Sequence, residues 1–376
     1  MNYLFVLDQY GAENNGVSVS ARRYAAVLRA RGHGVRILST GDCGPDGYSV
    51  PELRIPVFDK LIKSHGMVFG KPEKRVLEQA LAWADHVHFL MPFTLSIVTA
   101  QRARKMGKPA TAAFHVQPQN ISYSIGMGRW TPTNAFIYWL FRTDFYGRFR
   151  YIHCPSAFIA KQLKAHGYGA ECRVISNGIT PEFTFRRDRK EAKWRGRFLI
   201  LMIGRLSGEK RQDVLIEAVK RSRHAQDIQL IFAGQGPLHD AYAKQARGLA
   251  HPLQMRFLSQ EELRSVIAQC DLYVHTADAE LEAMSCMEAF ACGRVPVIAN
   301  SPFSATPQFA LDERSLFCPG DASDLAEKID YWIEHPGERL AMERTYSESA
   351  KKYAIENCVT QFEQLAAEAK EKGSWA

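Results

Sequence analysis

The sequence predicts an α/β protein built from two doubly wound domains, each an open parallel sheet covered by helices. Three observations carry this. Short apolar runs alternate with amphipathic segments along most of the chain, which is the strand-helix-strand pattern of parallel sheets. A charged stretch holding Gly178, Pro181 and Phe185-Arg-Arg-Asp-Arg-Lys190 interrupts the pattern near the middle. The chain has 376 residues, enough for two domains of ordinary size.

The first domain is expected over residues 1–180. A strand over 3–7 is followed by a polar turn over 8–15. Gly16 opens a helix that runs through Arg22, Tyr24, Val27 and Leu28 to Gly32. A second strand over 35–38 completes a right-handed βαβ unit. The start of that helix can hold an anion on its unpaired N–H groups, or it is a plain glycine turn. Further strands are expected over 86–91, 109–115, 151–154 and 172–175. His115 closes one of them, at a strand exit where ligands of open α/β sheets bind, whereas His86, His88 and His153 read as structural.

The second domain is expected over 181–352; a linker over 177–197 joins the halves, and the second domain's strand pattern starts at Phe198. Its strands are predicted over 198–203, 229–233, 254–257, 272–275, 295–299 and 315–318. Amphipathic helices follow over 325–333 and 338–353, and a last helix over 353–372.

Composition bounds the function. Hydrophobic residues make up 46% and charged residues 23%, as in folded soluble proteins. No apolar run approaches the roughly 20 residues that span a bilayer. The first residues read as a strand and not as a signal peptide, so a cytoplasmic protein is expected. The 8 cysteines form no Cys-x-x-Cys pair, which argues against a zinc site and for thiols in a reducing compartment. The net charge of +8 suits an anionic ligand or surface, and no nucleic-acid-binding module accompanies it.

Chemistry concentrates at strand exits. The strand over 198–203 ends in Gly204-Arg205 and then Lys210: glycine permits close approach, arginine offers a planar fork and lysine a point charge, which suits a phosphate group. The strand over 229–233 ends in Gly234-Gln-Gly236. The strand Leu272-Tyr-Val-His275 leads through Thr276-Ala-Asp278 to Glu280 and, eight residues on, Glu288, on a helix stopped by Cys292-Gly293. Alone, such a glutamate pair can be surface decoration. Beside the other exits it reads as part of one crevice.

Taken together these motifs resemble the retaining glycosyltransferases of family 4 (glycosyltransferase group 1), over residues 1–330. The matching residues are Gly204-Arg205 with Lys210, Gly234-Gln-Gly236, Cys270-Asp271, and Glu280 to Glu288 with Ala291-Cys-Gly293. In the first half they are Asn15-Gly16, Gly32-His33-Gly-Val35, His115, Cys154-Pro155-Ser156 and Ile175-Ser-Asn177-Gly178. The resemblance implies the GT-B fold: two Rossmann-like domains facing a central cleft, with the C-terminal helix crossing back to the first.

It also implies transfer of a hexose from a nucleoside diphosphate sugar, such as UDP-glucose, with retention at the anomeric carbon. Arg205 and Lys210 would neutralise charge on the leaving diphosphate. Glu280 would lie near the donor sugar, Glu288 would bind the ribose hydroxyls, and His115 would touch donor sugar or acceptor. Gly16, Gly204, Gly234, Ala283, Met284 and Asn177 would line the donor. Two cations can stand in for a metal, so no metal and no cofactor is expected. Three departures stand out. Glu280-Leu-Glu282-Ala283 lacks the glycines that often follow the first glutamate. Glu282 offers a second register for that carboxylate. Phe257-Leu-Ser259 lacks the usual glycine and aromatic near the base.

Residues 125–150 are rich in aromatics, and arginine is their only cation. Trp130, Phe136 and Trp139 with Arg142, Arg148 and Arg150 suit a helix lying in an anionic lipid interface. An aromatic stripe at helical spacing equally suits a core. His115-Val-Gln-Pro-Gln-Asn and Glu280-Leu-Glu282-Ala-Met-Ser-Cys286 most resemble bacterial enzymes that glycosylate diacylglycerol. The expected acceptor is therefore a membrane lipid, and the expected location is the inner face of the cytoplasmic membrane. A soluble or polysaccharide acceptor and a non-catalytic partner protein are the alternatives. Base, sugar, linkage and oligomeric state are not legible.

Overall fold

A computed structural model describes residues 1–11, 15–44, 46–54, 68–124, 127 and 130–376. The chain divides into two compact units, one of Met1–Gly178 with Ile355–Ala376, the other of Ile179–Ala354.

The first unit holds a seven-stranded sheet in the order Tyr48–Val50, Gly34–Thr40, Asn2–Gln9, His86–Phe89, Ala110–Ala113, Tyr151–Cys154, Glu171–Val174. All neighbours run parallel. Parallel strands covered on both faces must be apolar throughout, and residues 3–8 are buried without a break. The order reverses beside Asn2–Gln9, which leaves a crevice at the carboxyl ends of Asn2–Gln9 and His86–Phe89.

The helix Gly16–Ala30 starts on the Asn15 side chain, which accepts the Val17 N–H at 3.0 Å. The helix Ile355–Lys372 belongs to this unit because Phe362 packs against Tyr3, Phe5, Tyr24 and His88, with ring centroids 4.8–5.9 Å apart. It begins two residues later than the sequence suggests. Lys351–Tyr353 turns as a 3-10 segment and Ala354 is extended, so the helix cannot start at Tyr353.

Residues 130–150 divide between the two readings offered by the sequence. The helix Thr131–Asp144 buries Asn134, Tyr138 and Phe141, spaced four and three apart on one face. Phe136 and Trp139, three apart on another face, stack at 5.8 Å and are 58% and 50% exposed, and Trp130 is exposed as well. The expected arginine face is not formed. Arg148 and Arg150 lie beyond the helix. Arg142 donates to the His166 and Gly167 carbonyls at 3.1 and 3.2 Å, Arg148 to Asp144 O at 3.0 Å and Arg150 to Lys372 O at 2.7 Å. Unpaired carbonyls at helix ends draw these guanidinium groups inward. Gly126 and Arg129 of this segment lie outside the described residues. No helix among the described residues is long and apolar enough to cross a membrane.

The second unit repeats the topology with six parallel strands: Gln254–Arg256, Ile228–Ala233, Phe198–Ile203, Leu272–His275, Pro296–Ala299, Leu316–Phe317. The order reverses between Phe198–Ile203 and Leu272–His275. A two-stranded parallel ribbon, Ala279–Glu280 with Phe303–Ser304, lies outside this sheet. The helix Met284–Ala291 ends at Gly293, whose φ of +83° suits glycine. The next residue, Arg294, is fully buried, donates to Cys270 O at 2.7 Å and lies 3.4 Å from the buried Glu343. No disulfide forms among the described residues.

Candidate active site

The strand-order reversal of the second unit brings two exits together. Phe198–Ile203 delivers Gly204, Arg205 and Lys210; Leu272–His275 delivers Thr276, Asp278 and Glu280. The exits are tied to each other. Thr276 Oγ1 donates to Lys210 O at 2.7 Å, and the Asp278 N–H donates to Glu209 O at 2.8 Å. These bonds fix the turn Gly208–Lys210 and aim the Lys210 ammonium at Glu280, with which it is in direct contact. The Ala305 N–H holds the Glu280 carbonyl at 2.9 Å.

Glu280 has a second neighbour. His275 is fully buried, and its Nε2 lies 3.2 Å from Glu280 Oε1, poorly aligned for a hydrogen bond. The chain continues inward: His275 Nδ1 to Tyr273 OH at 3.1 Å, Tyr273 OH to Ser285 Oγ at 3.1 Å, and Ser285 Oγ to Ile203 O at 3.4 Å. Burial alone would raise the Glu280 pKa. The Lys210 charge and His275 outweigh it and hold the carboxyl at about 2. Burial pushes Lys210 down, but Glu280 and Glu209 bring it above its ordinary value. Burial holds His275 low. At neutral pH the group is thus an ammonium–carboxylate pair beside a neutral imidazole.

The other second-unit residues surround this pair. Arg205 is exposed, and its backbone is pinned by Gln212 Nε2 on its carbonyl at 2.8 Å. Gly234 and Gly236 have a packing reason: a Cβ on Gly234 would meet Gly204 O at 2.0 Å, and one on Gly236 would meet Leu206 O at 2.4 Å. Their glycines let two strand exits lie backbone on backbone. Ala283, the cap of Met284–Ala291, has φ +63°, a left-handed conformation rare for a side chain with a Cβ. The first turn after it, starting at Met284, carries neither acid nor side-chain cap. Glu288 is buried on the same helix, three residues after Ser285 and so on the same side. Glu282 is buried too, while Lys210 contacts Glu280.

His115, Gly16 and Asn177 belong to the first unit. His115 lies two residues past Ala110–Ala113, its ring 5.7 Å from that of His153, and burial lowers its pKa to about 3. Gly16 is exposed at the start of its helix, and Asn177 is buried. Sequence reasoning missed His275, Tyr273 and Ser285. The available signal was a histidine closing an apolar strand five residues before a glutamate.

Two open parallel sheets, one carrying a cation–carboxylate pair where its strand order reverses, define an α/β protein with its ligand crevice at the strand exits. A family model described as "Glycosyl transferases group 1" matches residues 184–353, and one described as "Glycosyltransferase Family 4" matches residues 14–183. The chain belongs to the group 1 glycosyltransferases. It is 25% identical over 312 residues to an alpha-monoglucosyldiacylglycerol synthase of Streptococcus pneumoniae, covering 78% of this chain and 69% of that protein. It is 24% identical over 316 residues to a GDP-mannose-dependent alpha-mannosyltransferase of Corynebacterium glutamicum, covering 79% and 72%. The Anabaena protein Alr3699/HepE, solved in complex with UDP-glucose, matches with a TM-score of 0.73 at 17% identity over 98% of this chain and 99% of that one. The fold is that of the GT-B glycosyltransferases.

Proposed function

We propose that this protein transfers a hexose, with retention, from a nucleoside diphosphate sugar to an uncharged membrane lipid such as diacylglycerol, without a metal. The Lys210–Glu280 pair carries the reading. An arriving diphosphate competes with Glu280 for Lys210, and the exposed Arg205 supplies a second cation. Charge grows on the leaving diphosphate as the glycosidic bond breaks, so both cations act most strongly in the transition state. The released Glu280 carboxylate then faces the cationic sugar carbon, and Glu288 takes the ribose hydroxyls. The start of Met284–Ala291, which carries no side-chain cap, lends the positive end of its helix dipole to the diphosphate.

Two observations favour a lipid acceptor: the exposed stack of Phe136 and Trp139, and the relative that makes a glucosyl diacylglycerol. The relative that uses GDP-mannose keeps a mannosyl donor as the second reading. Peripheral attachment at the inner face of the cytoplasmic membrane follows from the same proposal. The test is release of nucleotide and transfer of sugar from a panel of UDP- and GDP-sugars, with and without diacylglycerol vesicles. Sugar transfer that needs the vesicles is expected. Turnover with none of the donors, or transfer only to soluble acceptors, sinks the reading.

A further inference from the structure

The crevice of the first unit contains a group that neither the fold nor the reaction above uses. Asp8 ends the buried run of Asn2–Gln9, beside the strand-order reversal, and is 1% exposed. It lines a cavity of about 80 Å³ whose other walls include Val17, Val68, Phe69, Met91 and Phe93. Phe69 and Phe93 pack edge to face at 4.8 Å and close one side. Asp8 Oδ1 accepts the Gly70 N–H at 2.9 Å. Asp8 Oδ2 is buried and has no hydrogen-bond partner among the described residues. Native proteins seldom leave such an oxygen unpaired, and an unpaired one next to a cavity marks a place for a hydrogen-bonding ligand. Holding Gly70 needs a single acceptor, which leaves the second oxygen without a structural duty.

The cavity dictates the ligand. It has room for a few water-sized atoms, too little for a sugar ring. Among the described residues its walls are apolar apart from Asp8, Gln9 and Asn15, and the Asn15 oxygen already caps a helix. Among the described residues no cation lines it, and a phosphate there would meet a carboxyl group in apolar surroundings. An uncharged hydroxyl can donate to a carboxylate or accept from a carboxylic acid. Burial, opposed by the Gly70 N–H, raises the Asp8 pKa to about 7, so both forms are present near neutral pH.

We propose that Asp8 and the cavity beside it form a subsite for the hydroxyl-bearing end of an apolar alcohol, and that this subsite selects an uncharged lipid alcohol over a lipid phosphate as acceptor. The second half rests on the lipid-acceptor reading given above; the first does not.

The test is binding without donor. Dioctanoylglycerol and dioctanoyl phosphatidate are titrated against the full chain, Asp8→Asn, Asp8→Leu and Val17→Phe, with thermal unfolding of each variant as the folding control. The wild type is expected to bind dioctanoylglycerol at least about tenfold more tightly than the phosphatidate. Asp8→Leu and Val17→Phe are expected to lose about tenfold or more, the first by removing the hydrogen bond and the second by filling the cavity. Asp8→Asn, which keeps an acceptor and gains a donor, is expected to stay within about threefold. If Asp8→Leu does not fold, Val17→Phe and Asp8→Asn decide. Unchanged binding in the folded cavity variants, preference for the phosphatidate, or no binding of either lipid overturns the subsite. Asp8-dependent binding of a lipid that no donor glycosylates overturns the transfer reading and leaves the subsite standing.

Discussion

Lys210 and Glu280, 70 residues apart in the chain, meet side chain to side chain where the two central strands of the second unit end. The contact depends on two bonds between the exits, Thr276 to Lys210 O and Asp278 N–H to Glu209 O. It therefore reports the sheet order as well as the chemistry. A parallel sheet with another strand order would separate the two side chains.

Replacing Lys210 by Ala is expected to lower turnover at least about a hundredfold, the usual loss when one stabiliser of transition-state charge is removed. Steady-state kinetics with saturating donor checks this. The carboxyl should also move. Burial, which raises the Glu280 pKa, is offset mainly by Lys210, so Glu280 in the variant should take up a proton at higher pH than in the parent. Turnover within about threefold of wild type would remove Lys210 from the diphosphate.

Ala283 is strained where the helix Met284–Ala291 begins. A left-handed residue with a Cβ costs about 1 kcal/mol relative to glycine, more than glycine's added freedom in the unfolded chain takes back. Ala283→Gly should therefore stabilise the second unit by a net of roughly half a kcal/mol, read as a higher urea midpoint with an unchanged slope. A lower midpoint would mean that the buried Ala283 methyl group contributes more packing than the backbone loses.

Much of this was legible in the sequence because parallel strands are buried on both faces and show as unbroken apolar runs, as in Leu272–His275. Strand exits follow from strand ends, so Gly204, Lys210 and Glu280 could be placed in one crevice before any coordinates. Three things could not be read. Tyr48–Val50 is too short an edge strand to give a pattern. Arg294 reads as a solvated charge, yet it is buried because Cys270 O and Glu343 receive it from distant parts of the chain. The helix Thr131–Asp144 has aromatics all round, and tertiary contacts such as those of Tyr138 with Tyr168, His166 and Phe114 show which face is inside.

The first unit should lose stability in mild acid through its histidines. His86 and His153 are buried, each with an Nδ1 lacking a partner among the described residues. Burial lowers their pKa values from 6.5 to about 3 and about 4. The unfolded chain thus binds more protons than the folded one below pH 6.5, and stability falls as pH drops from there towards the folded values. Each histidine contributes up to about 1.4 kcal/mol per pH unit in that window. Asp8, which burial raises to about 7, holds its proton in the folded chain over the same range and offsets about one histidine, whereas His88 and His115, also lowered by burial, add to the loss. Urea unfolding across that range should show a slope that shrinks in His86→Gln. An equal slope in both proteins would assign the acid sensitivity elsewhere.

The exposed pair Phe136 and Trp139 gives the membrane reading its sharpest test. The two rings stack on the face of Thr131–Asp144 opposite Tyr138 and Phe141, so replacing them leaves the core intact. Each exposes about half its surface, and burying that half in lipid is worth about 1 kcal/mol or more per ring. The double variant Phe136→Ser, Trp139→Ser should therefore bind diacylglycerol-containing vesicles at least about tenfold more weakly. Its unfolding free energy should stay within about 0.5 kcal/mol of wild type, as surface substitutions do. Because Arg142, Arg148 and Arg150 are held by backbone carbonyls, salt should affect binding less than loss of the aromatics does. Sedimentation with vesicles at low and high salt reads both effects. Equal retention of wild type and double variant would show that this face meets something other than lipid. Retention abolished by salt alone would place the contact on other cations of the chain.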